Sequence, residues 1–551
     1  MTDCKKIADL IFPDVTKTPE FYEEKYSARD LPEGARVTRF APSPTGYLHF
    51  GGLYAGFASK FTADSTNGVF MLRIEDTDKK REITDGVSCI VNGLSAFGIA
   101  PDEGVMGFET EQGEYGPYTQ SKRRDIYRTF AKKLVEEGRA YPCFCTAEDL
   151  EKIHELQENE DIKGYYGKYA RCRDLTDEEI IEKINAGIPF TVRLRSEGDI
   201  TRKIKFDDMI KGKIEMSENV NDVVILKTDG IPTYHFAHAV DDHLMRTTHV
   251  VRGDEWIASV PLHIELFKAL GFRPVKYAHI APLMKEENGG KRKLSKRKDP
   301  EANVTYYIEK GYPKESVQEY ILTILNSNFE DWRRANKTES VSKFPFNFKK
   351  MSVSGALFDL VKFNDVSKNV ISLMTAGQVY DYVTDWAKDY DTELYELLTS
   401  NPEKAKAIFN IDRDNPKPRK DIACWSEVRD YLSYFYNEIY TPDITLPEHI
   451  EREDAAEILT KYKELYSEND TKDEWFAKIK ELCTLCGYTP NVKEYKANPE
   501  LFKGHVGDVT TVIRVAITSR VNSPDLYYIM QALGTDEVNA RIDTAIKFYR
   551  G

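Results

Sequence analysis

The chain has 551 residues and a net charge of −14, and 41% of its residues are hydrophobic. That length suits three or four domains of roughly 100–200 residues, and 12% aromatic residues argue against global disorder. No apolar run approaches the ~18 residues that span a bilayer, and the first residues resemble neither a signal peptide nor an Arg- and Ser-rich transit sequence. We therefore expect a cytoplasmic protein with no membrane partner.

The first part of the chain alternates strand-like and helix-like segments. Residues 1–35 are polar and mixed, which predicts a short helical extension. The string VTRFA from Val37 predicts a strand, the helical spacing of GGLYAGFASKFTADST predicts a helix, and VFMLRIE from Val69 predicts a second strand. A further helix is predicted from about Lys122 to Glu137. This order indicates a parallel sheet with crossover helices.

Residues 141–232 interrupt this rhythm with short helices and with strands such as FTVRLR and VVILKT, which indicates an insertion. The α/β rhythm returns in TYHFAHAVDD, THVVRGDE, a helix from about Trp256 to Leu270, and YAHIAPLM. Strands become rare beyond Pro300, and from about residue 357 the chain is mostly helix-like.

The first motif is PTGYLHFGG, which runs from Pro44 to Gly52, where a strand enters a turn and then a helix. Gly51 and Gly52 would let a nucleotide approach the backbone closely. The helix N-terminus presents free N–H groups to phosphate, and His49 can donate to a phosphate oxygen. The alternative is a histidine that only satisfies the start of the helix, because short motifs often occur by chance.

The second motif lies in KRKLSKRK, six basic residues in eight from Lys291 to Lys298. Two lysines and a hydroxyl on one loop suit a triphosphate, and the alternative is a solvated basic loop. The motifs lie about 240 residues apart, at the two ends of one α/β domain. Doubly wound sheets bind nucleotides outside the carboxyl ends of their strands, so we expect both motifs at one site.

These motifs resemble the signatures of class I aminoacyl-tRNA synthetases, His49 to Gly52 the HIGH motif and Lys293 to Arg297 the KMSKS motif. Longer strings are similar to glutamyl-tRNA synthetase of the bacterial type over about residues 36–366 and again near the end. These strings are RFAPSPTG (Arg39 to Gly46), LRIEDTD (Leu72 to Asp78), PTYHFAHAVDDH (Pro232 to His243), VRGDEW (Val251 to Trp256), VIRVAIT (Val512 to Thr518) and PDLYYIMQALG (Pro524 to Gly534). Glutaminyl enzymes instead resemble PPEPNG in the first string and have β-barrel anticodon domains.

The resemblance implies an α/β fold, in which a Rossmann-like class I synthetase catalytic domain carries an inserted acceptor-binding domain and is followed by an all-helical anticodon-binding region. It implies six segments along the chain. They are an N-terminal extension (1–35), the first half of the catalytic domain (36–140), the insertion (141–232), the second half (233–285), the KMSKS loop with a stem-contact region (286–356), and the helical anticodon-binding domain (357–551).

The resemblance also implies the site residues. The ATP site would comprise His49, Gly51, Gly52, Glu255, Ser295 and Lys296, with His49, Lys293 and Lys296 as the catalytic groups. The glutamate pocket would comprise Arg39, Ala41, Ser43, Glu75, Tyr234, His238, Arg252 and Trp256. The residue types fit independently, because an arginine fork can pair with a carboxylate and Glu75 can hold an ammonium. For an isolated arginine, pairing with a nearby acid is the alternative. Position 238 is commonly Asn in the family, and a histidine there can make binding depend on pH between about 6 and 7.

The implied activity is that of a glutamate–tRNA ligase. It activates L-glutamate with ATP and Mg²⁺ to glutamyl-adenylate, transfers the glutamyl group to tRNA-Glu, and releases AMP and pyrophosphate. We expect a monomer with tRNA-Glu, glutamate and ATP as partners. Two alternatives remain, an enzyme that glutamylates a modified tRNA base and a non-catalytic tRNA-binding paralogue. The long helical C-terminus argues against the first, and intact His49, Lys293 and Lys296 argue against the second.

Anticodon-binding candidates are Arg514 in VIRVAIT and Arg419 in PKPRKD, because single-stranded loops are read by stacking and by arginine contacts. A solvated helix face is the alternative for both.

Eight cysteines in 551 residues do not form a disulfide framework. Cys143, Cys145 and Cys172 resemble a zinc-binding insertion seen in part of the family, and three thiolates could bind Zn²⁺. The fourth ligand stays open, with Tyr169 and His154 as candidates, and the alternative is that the thiols remain without the metal. Cys483 and Cys486 are predicted to be two thiols one helical turn apart with no site.

Overall fold

A computed structural model describes residues 3–78, 83–160 and 163–551, so the first two residues of the predicted extension lie outside it. The chain forms two compact units. The first unit contains Met1–Ile308 and Val317–Asp359, and the second contains Glu309–Ser316 and Leu360–Gly551. Within the described residues, no helix is both long enough and apolar enough to cross a membrane.

All strands that the described residues form lie in the first unit. They are β1 (Val37–Phe40), β2 (Val69–Leu72), β3 (Glu103–Gly107), β4 (Thr110–Gln112), β5 (Ala140–Cys143), β6 (Thr191–Leu194), β7 (Lys203–Asp208), β8 (Gly212–Ser217), β9 (Val224–Leu226), β10 (His249–Gly253), β11 (Lys276–Ile280), β12 (Leu283–Glu287), β13 (Gly290–Lys293) and β14 (Ala356–Leu357).

The first unit also contains helices. They are α1 (Cys4–Ile11), α2 (Pro19–Lys25), α3 (Phe50–Asp64), α4 (Gly86–Ala96), α5 (Arg124–Glu136), α6 (Ala147–Leu156), α7 (Asp177–Asn185), α8 (Tyr234–Leu244), α9 (Val260–Leu270), α10 (Val304–Lys310), α11 (Lys314–Leu325) and α12 (Phe329–Ala335), with α10 and α11 containing two of the three points where the chain passes between the units.

The central sheet has the predicted parallel arrangement. Strand β1 pairs with β2 in parallel, from Val37 opposite Val69 to Phe40 opposite Leu72, and β3 continues the sheet in parallel, with β4 antiparallel at its edge. Strands β10 and β11 form a second parallel pair, and the backbone N–H of Thr248, just before β10, donates to Val37 O at 2.9 Å. Strand β10 therefore lies beside β1, and the strand order reverses at this point, as in a doubly wound fold.

The stretch predicted as an insertion is antiparallel, unlike the central sheet. Strand β5 pairs with β6 and β6 with β9, while β7 and β8 form a hairpin. The hairpin joins the central sheet where Met209 N–H donates to Tyr277 O in β11 at 2.9 Å. The change from parallel to antiparallel pairing supports an insertion, and we keep its limits, residues 141–232, as a proposal.

The N-terminal extension is helical, as predicted. Ile7, Ala8 and Ile11 of helix α1 are buried, and their spacing of three to four residues gives the helix one apolar face. The helix packs against α5. Lys132 of α5 lies 2.7 Å from Asp9. The extension therefore belongs to the folded first unit.

The second unit is built from helices, and the structure describes no strand beyond Leu357. The helices are α13 (Leu360–Ser372), α14 (Ala376–Tyr390), α15 (Thr392–Ser400), α16 (Pro402–Asn410), α17 (Val428–Leu432), α18 (Arg452–Leu465), α19 (Lys472–Leu485), α20 (Val492–Ala497), α21 (Val506–Thr518), α22 (Leu526–Leu533) and α23 (Thr535–Arg550).

Helix α14 illustrates why this part of the chain is helical. Thr375 and Gln378 form a capping box at its start, and Val379, Val383 and Ala387 repeat every four residues and are fully buried. The resulting apolar stripe packs into the core of the second unit. The predicted all-helical region is confirmed.

Candidate active site

A cleft of about 800 Å³ opens at the ends of β1 and β10, where the strand order of the sheet reverses. Most of the predicted ATP and glutamate residues line it. They are Arg39, Ala41, Ser43, His49, Gly51, Gly52, Glu75, Tyr234, Arg252, Glu255, Trp256 and Lys293. The other three, His238, Ser295 and Lys296, lie beside the cleft and are not among the residues that line it.

His49 is the N-cap of α3, and its ring orientation follows from that position. Its Nδ1 accepts the N–H of Gly51 at 2.8 Å, which leaves the proton on Nε2 as a donor. Burial, together with the nearby charges of Lys296 and Lys293, lowers the pKa of His49 to about 4. A neutral ring at pH 7 thus both caps the helix and keeps one N–H for a ligand, so the two interpretations of this motif are compatible.

The two glycines after His49 serve packing as well as access. A Cβ on Gly52 would lie 3.0 Å from Leu48 Cδ1 and 3.5 Å from Phe40 Cζ, and one on Gly51 would lie 3.0 Å from His49 Nδ1. The absence of side chains therefore lets α3 pack closely against the end of β1. Both residues also line the cleft, as predicted for a close backbone approach.

The basic second motif is organised around one buried acid, Asp299, which is 2% exposed. Asp299 accepts from Arg292 Nη1 at 2.6 Å, from Lys285 Nζ at 3.1 Å and from the backbone N–H of Ser295 at 2.9 Å. These contacts hold the pKa of Asp299 well below its usual range, the hydrogen bond from Arg292 contributing most. The run is therefore not a uniformly solvated loop, because Arg292 is charge-paired within it.

The two motifs meet at the turn before α3. Lys296 Nζ donates to Tyr47 O at 2.5 Å, and Lys293 lines the cleft that His49 also lines. Both motifs therefore lie at one site, as expected from the sequence. Asp299 was not predicted, although an acid directly after the basic run KRKLSKRK was a signal for an anchor.

A buried ion-pair network supports the floor of the cleft. Asp242 accepts from Arg73 Nη1 at 2.6 Å and from Arg39 Nε at 3.3 Å, and Arg73 Nη2 also donates to Glu75 at 3.1 Å. Burial alone would raise the pKa of Asp242, but Arg39 and Arg73 hold it well below its usual range. The charge of Arg39 is therefore already balanced. Arg73 and Asp242 were missed, although both lie inside the strings that carried the resemblance.

Glu75 is the acid of this network that lines the cleft. Burial raises the pKa of Glu75, and Arg73 and Arg39 oppose part of that increase. An ammonium group bound beside Glu75 would favour its ionised form. This position therefore suits the α-amino group of an amino acid.

Arg252 has a different environment from Arg39. It is 6% exposed, and its Nε donates to His279 Nε2 at 3.1 Å, its Nη1 to Tyr234 Oη at 3.4 Å and its Nη2 to His263 Nδ1 at 3.3 Å. None of these partners is an acid, and no ion pair of Arg252 is found among the described residues. A buried guanidinium without an anion is unfavourable, so the site is suited to a ligand carboxylate.

His238 lies behind the cleft wall. It is fully buried, with Nδ1 2.7 Å from Asp242 and Nε2 2.9 Å from Tyr277 Oη. Burial lowers the pKa of His238 to about 3, although Asp242 opposes this. This low pKa favours a neutral ring at pH 6–7, which argues against the pH dependence predicted for that range. These contacts support a role in positioning Asp242 and Arg39 in place of a direct contact with the amino acid.

The predicted metal ligands Cys143, Cys145 and Cys172 come together, with their sulfur atoms within 4.8 Å of one another. Cys145 Sγ and Cys172 Sγ are 3.7 Å apart, close to the ~3.8 Å edge of a tetrahedron with Zn–S bonds of about 2.3 Å. Hydrogen bonds from Cys145 and Cys172 lower the pKa of the Cys143 thiol, so the cluster favours a thiolate there. The donor set fits Zn²⁺.

Tyr165, which was not among the predicted ligands, lies beside this cluster. Tyr165 Oη lies 3.2 Å from Cys145 Sγ and 3.5 Å from Cys143 Sγ. The two earlier candidates lie elsewhere, because Tyr169 Oη donates to Glu160 at 2.8 Å and His154 is exposed on α6. Spacing along the sequence could not identify Tyr165, since its approach depends on how the loop folds.

Both predicted anticodon contacts are engaged within the second unit. Arg514 on α21 is half-buried and donates to the Ser523 hydroxyl and to Pro524 O, which fixes the following loop. Arg419 pairs with Asp421 through two contacts of 2.8 Å. A role for either arginine in reading RNA stays a prediction.

Two protein families match this chain, one mainly in its first unit and one in its second. The family described as tRNA synthetases class I (E and Q), catalytic domain, matches residues 36–364, and an anticodon binding domain family matches residues 496–546. The first match covers the cleft, both motifs and the parallel sheet around them. The protein therefore belongs to the class I tRNA synthetases.

Individual relatives narrow this class. A glutamate–tRNA ligase of Clostridium perfringens is 50% identical over 98% of this chain and 100% of its own length, and one of Acetivibrio thermocellus is 48% identical over 98% and 99%. A crystal structure of a glutamate tRNA ligase from Elizabethkingia meningosepticum in complex with its amino acid has a TM-score of 0.74 and 27% identity, covering 93% of this chain and 99% of that one. The chain belongs to the glutamate–tRNA ligase family of class I tRNA synthetases.

Proposed function

We propose that the protein is a glutamate–tRNA ligase, which joins L-glutamate to tRNA-Glu with ATP and releases AMP and pyrophosphate. The single observation that carries this proposal is one cleft that combines phosphate-binding groups with a buried arginine that has no acidic partner among the described residues. The family membership supports the same reaction. We further propose a monomeric, cytoplasmic enzyme, and light scattering after size-exclusion chromatography tests the monomer.

The first step forms glutamyl-adenylate. An oxygen of the glutamate α-carboxylate attacks the α-phosphorus of ATP, and the bond to the bridging oxygen of pyrophosphate breaks. Mg²⁺ enters with ATP as its counter-ion and neutralises part of the phosphate charge. His49 Nε2–H and the ammonium groups of Lys293 and Lys296 stabilise the charge that develops on the leaving pyrophosphate, and most of the rate comes from such positioning and charge stabilisation.

The second step transfers the acyl group. A ribose hydroxyl of the terminal adenosine of tRNA attacks the acyl carbon of the adenylate and gives its proton to solvent. The bond between the acyl carbon and the phosphate oxygen breaks, and AMP leaves. The cleft need only hold the adenylate and admit the tRNA end, because the mixed anhydride is already activated. We assign no residue as general base for this step.

Selection of glutamate over glutamine depends on charge, because the two amino acids have nearly the same shape. An arginine offers only donors, so it pairs with a carboxylate and leaves donors unpaired against an amide nitrogen. Arg39 and Arg252 are the two arginines of the predicted glutamate pocket. Arg39 is already paired with Asp242, whereas in the part of the chain that the structure describes Arg252 pairs with no acid. We therefore assign the side-chain carboxylate to Arg252, assisted by the Tyr234 hydroxyl.

We also propose that Cys143, Cys145, Cys172 and Tyr165 hold a structural Zn²⁺. The ion would cross-link three segments of the insertion and would take no part in the reaction at the cleft. Because zinc binds thiolates, its binding would also release the protons of the three thiols.

Protein purified without chelator is expected to contain about one zinc per chain by elemental mass spectrometry. Cys145→Ser should reduce that content to a small fraction, because a closed site loses a thiolate ligand. Cys486→Ser is the matched control, since Cys486 is also buried yet belongs to no such cluster. Wild-type protein with near-zero zinc would retire the site.

The second unit, Leu360–Gly551, is proposed as the anticodon-binding part. A chain truncated after Asp359 is expected to bind ATP but to charge tRNA at least about 100-fold more slowly, because tRNA loses the contacts that position its end. The two chains are compared by their initial rates of charging at a fixed tRNA concentration and by their equilibrium binding of a fluorescent ATP analogue. Charging at the rate of the full-length protein would contradict this assignment.

A further inference from the structure

Arg252 is hydrogen-bonded to a series of buried side chains that begins with Asp208 in the β7–β8 hairpin and continues through His279. Arg252 and His279 are direct neighbours in the parallel pair β10–β11, where the register places one opposite the other. His279 is fully buried, and Asp208 at the end of β7 is 3% exposed. The two residues are 71 positions apart in sequence and meet because the hairpin joins the sheet beside β11.

The hydrogen bonds determine which nitrogen of His279 carries the proton. A guanidinium can only donate, so His279 Nε2 must accept from Arg252 Nε at 3.1 Å. The proton is therefore on Nδ1, which lies 2.6 Å from Asp208 Oδ2. This Nδ1–H form of the ring can bridge an arginine and an acid, whereas an imidazolium would put two donors face to face.

Asp208 is itself fixed by the backbone. Its Oδ1 accepts the N–H groups of Ile210 at 3.0 Å and Lys211 at 2.9 Å, and its Oδ2 accepts the N–H of His279 at 3.1 Å. Burial alone would raise the pKa of Asp208, but these bonds and that from the His279 ring keep it below its usual range. Burial also lowers the pKa of His279. A charged acid and a neutral imidazole are the consistent pair.

We propose that Asp208 and His279 are positioning residues for the substrate carboxylate, with His279 orienting Arg252 and Asp208 fixing the tautomer of His279. The inference rests on the proposed role of Arg252 in binding glutamate. It gives an acid in the predicted insertion an influence on amino-acid selection. It also explains why Arg252 has imidazoles as partners, because a neutral acceptor orients the guanidinium and leaves its positive charge for the ligand.

The test compares two replacements of His279 in the full-length protein. His279→Leu removes the acceptor and is expected to raise the KM for glutamate about 10- to 100-fold, the scale of a lost hydrogen bond to a charged group, and to narrow the glutamate-over-glutamine ratio of kcat/KM. The KM for ATP should change less than about twofold. His279→Gln presents one acceptor and one donor, as the neutral ring does, and should restore most of the loss.

Two further variants separate the inference from the proposed function. His249→Gln is the matched control, since His249 is a buried histidine of β10 that bonds to Thr248, and it should behave as wild type. Arg252→Lys tests the proposed role itself. If Arg252→Lys keeps the wild-type KM and ratio, that role fails and the inference falls with it. If Arg252→Lys loses both while His279→Leu keeps them, only the inference is overturned.

A purely structural role of His279 would have a different signature. Equal increases in the KM for glutamate and for ATP, or no recovery in His279→Gln, would overturn the proposal. Should the His279 variants fail to fold, ¹⁵N NMR of histidine-labelled wild-type protein at pH 7 decides the matter. A His279 ring protonated on Nδ1 alone is the expected result, and an Nε2–H ring or an imidazolium would overturn the proposal.

Discussion

Alanine at His49 or Lys296 is expected to lower the rate of tRNA charging by at least about 10²-fold, the usual scale for removing one preorganised stabiliser of developing charge. The reason is geometric. His49 Nδ1 is already used by Gly51 N–H, so Nε2–H is the group left for phosphate, and Lys296 reaches the turn that carries His49. Initial rates of charging at saturating ATP and glutamate give the measurement.

Matched variants keep this test specific. His49→Asn retains an acceptor for the helix N-cap, so α3 should stay stable while the reach of the imidazole is lost. Lys298→Ala removes an exposed charge from the same basic run and should be close to wild type. A turnover near wild type in His49→Asn or in Lys296→Ala would remove that residue from the mechanism.

The lowered pKa of His49 predicts that the stability of the protein depends on pH. Because its folded-state pKa is about 4 and its ordinary value is 6.5, the neutral ring contributes stability that is present above about pH 6.5 and is lost as pH falls through about 4. Between pH 7 and 4, His49→Asn should therefore lose less stability than wild type, as measured by thermal unfolding. Equal losses would contradict the assigned protonation state.

Glutamine at Arg252 is expected to reduce kcat/KM for glutamate by about 10²- to 10³-fold and to narrow the glutamate-over-glutamine ratio. A site built to pair with a substrate group rejects the analogue lacking it by large factors, and the neutral amide removes that pairing. Tyr234→Phe should show a weaker change in the same direction, because its hydroxyl only assists Arg252. Charging measured with each amino acid over a range of concentrations gives both quantities.

Arg39→Gln is the informative comparison, because replacing Arg39 and replacing Arg252 should have different effects on the stability of the protein. Breaking a buried pair costs about 3–5 kcal/mol, and Arg73 will reduce that cost because it stays on Asp242. Arg252→Gln removes a buried charge for which the described residues provide no acidic partner, so it should leave the melting temperature unchanged or raise it. If Arg252→Gln keeps the wild-type amino-acid ratio and Arg39→Gln changes it, the discriminating charge belongs to Arg39.

Local patterns were sufficient for many of the elements and their type, although strands such as β3 and β4 were not predicted. The strand at VTRF, the helix after His49 and the amphipathic helices of the second unit follow from short-range apolar spacing. Boundaries were less accurate where side chains take part in tertiary contacts. The strand predicted to reach Glu75 ends at Leu72, and the helix predicted from Trp256 begins as an α-helix at Val260, after a 3₁₀ turn.

The sequence by itself determined the α/β and helical parts of this protein and the two nucleotide motifs, because these depend on neighbours a few positions apart. The residues of the cleft were implied by the resemblance to the family. Only the tertiary structure decided which charges are free. Arg39 meets Asp242 across 203 residues and is balanced, while Arg252 meets His279 and is not. The same holds for the neutral state of His238 and for Tyr165 at the thiol cluster. Ionisation and pairing depend on burial and on partners distant in sequence, which only the packed fold brings together.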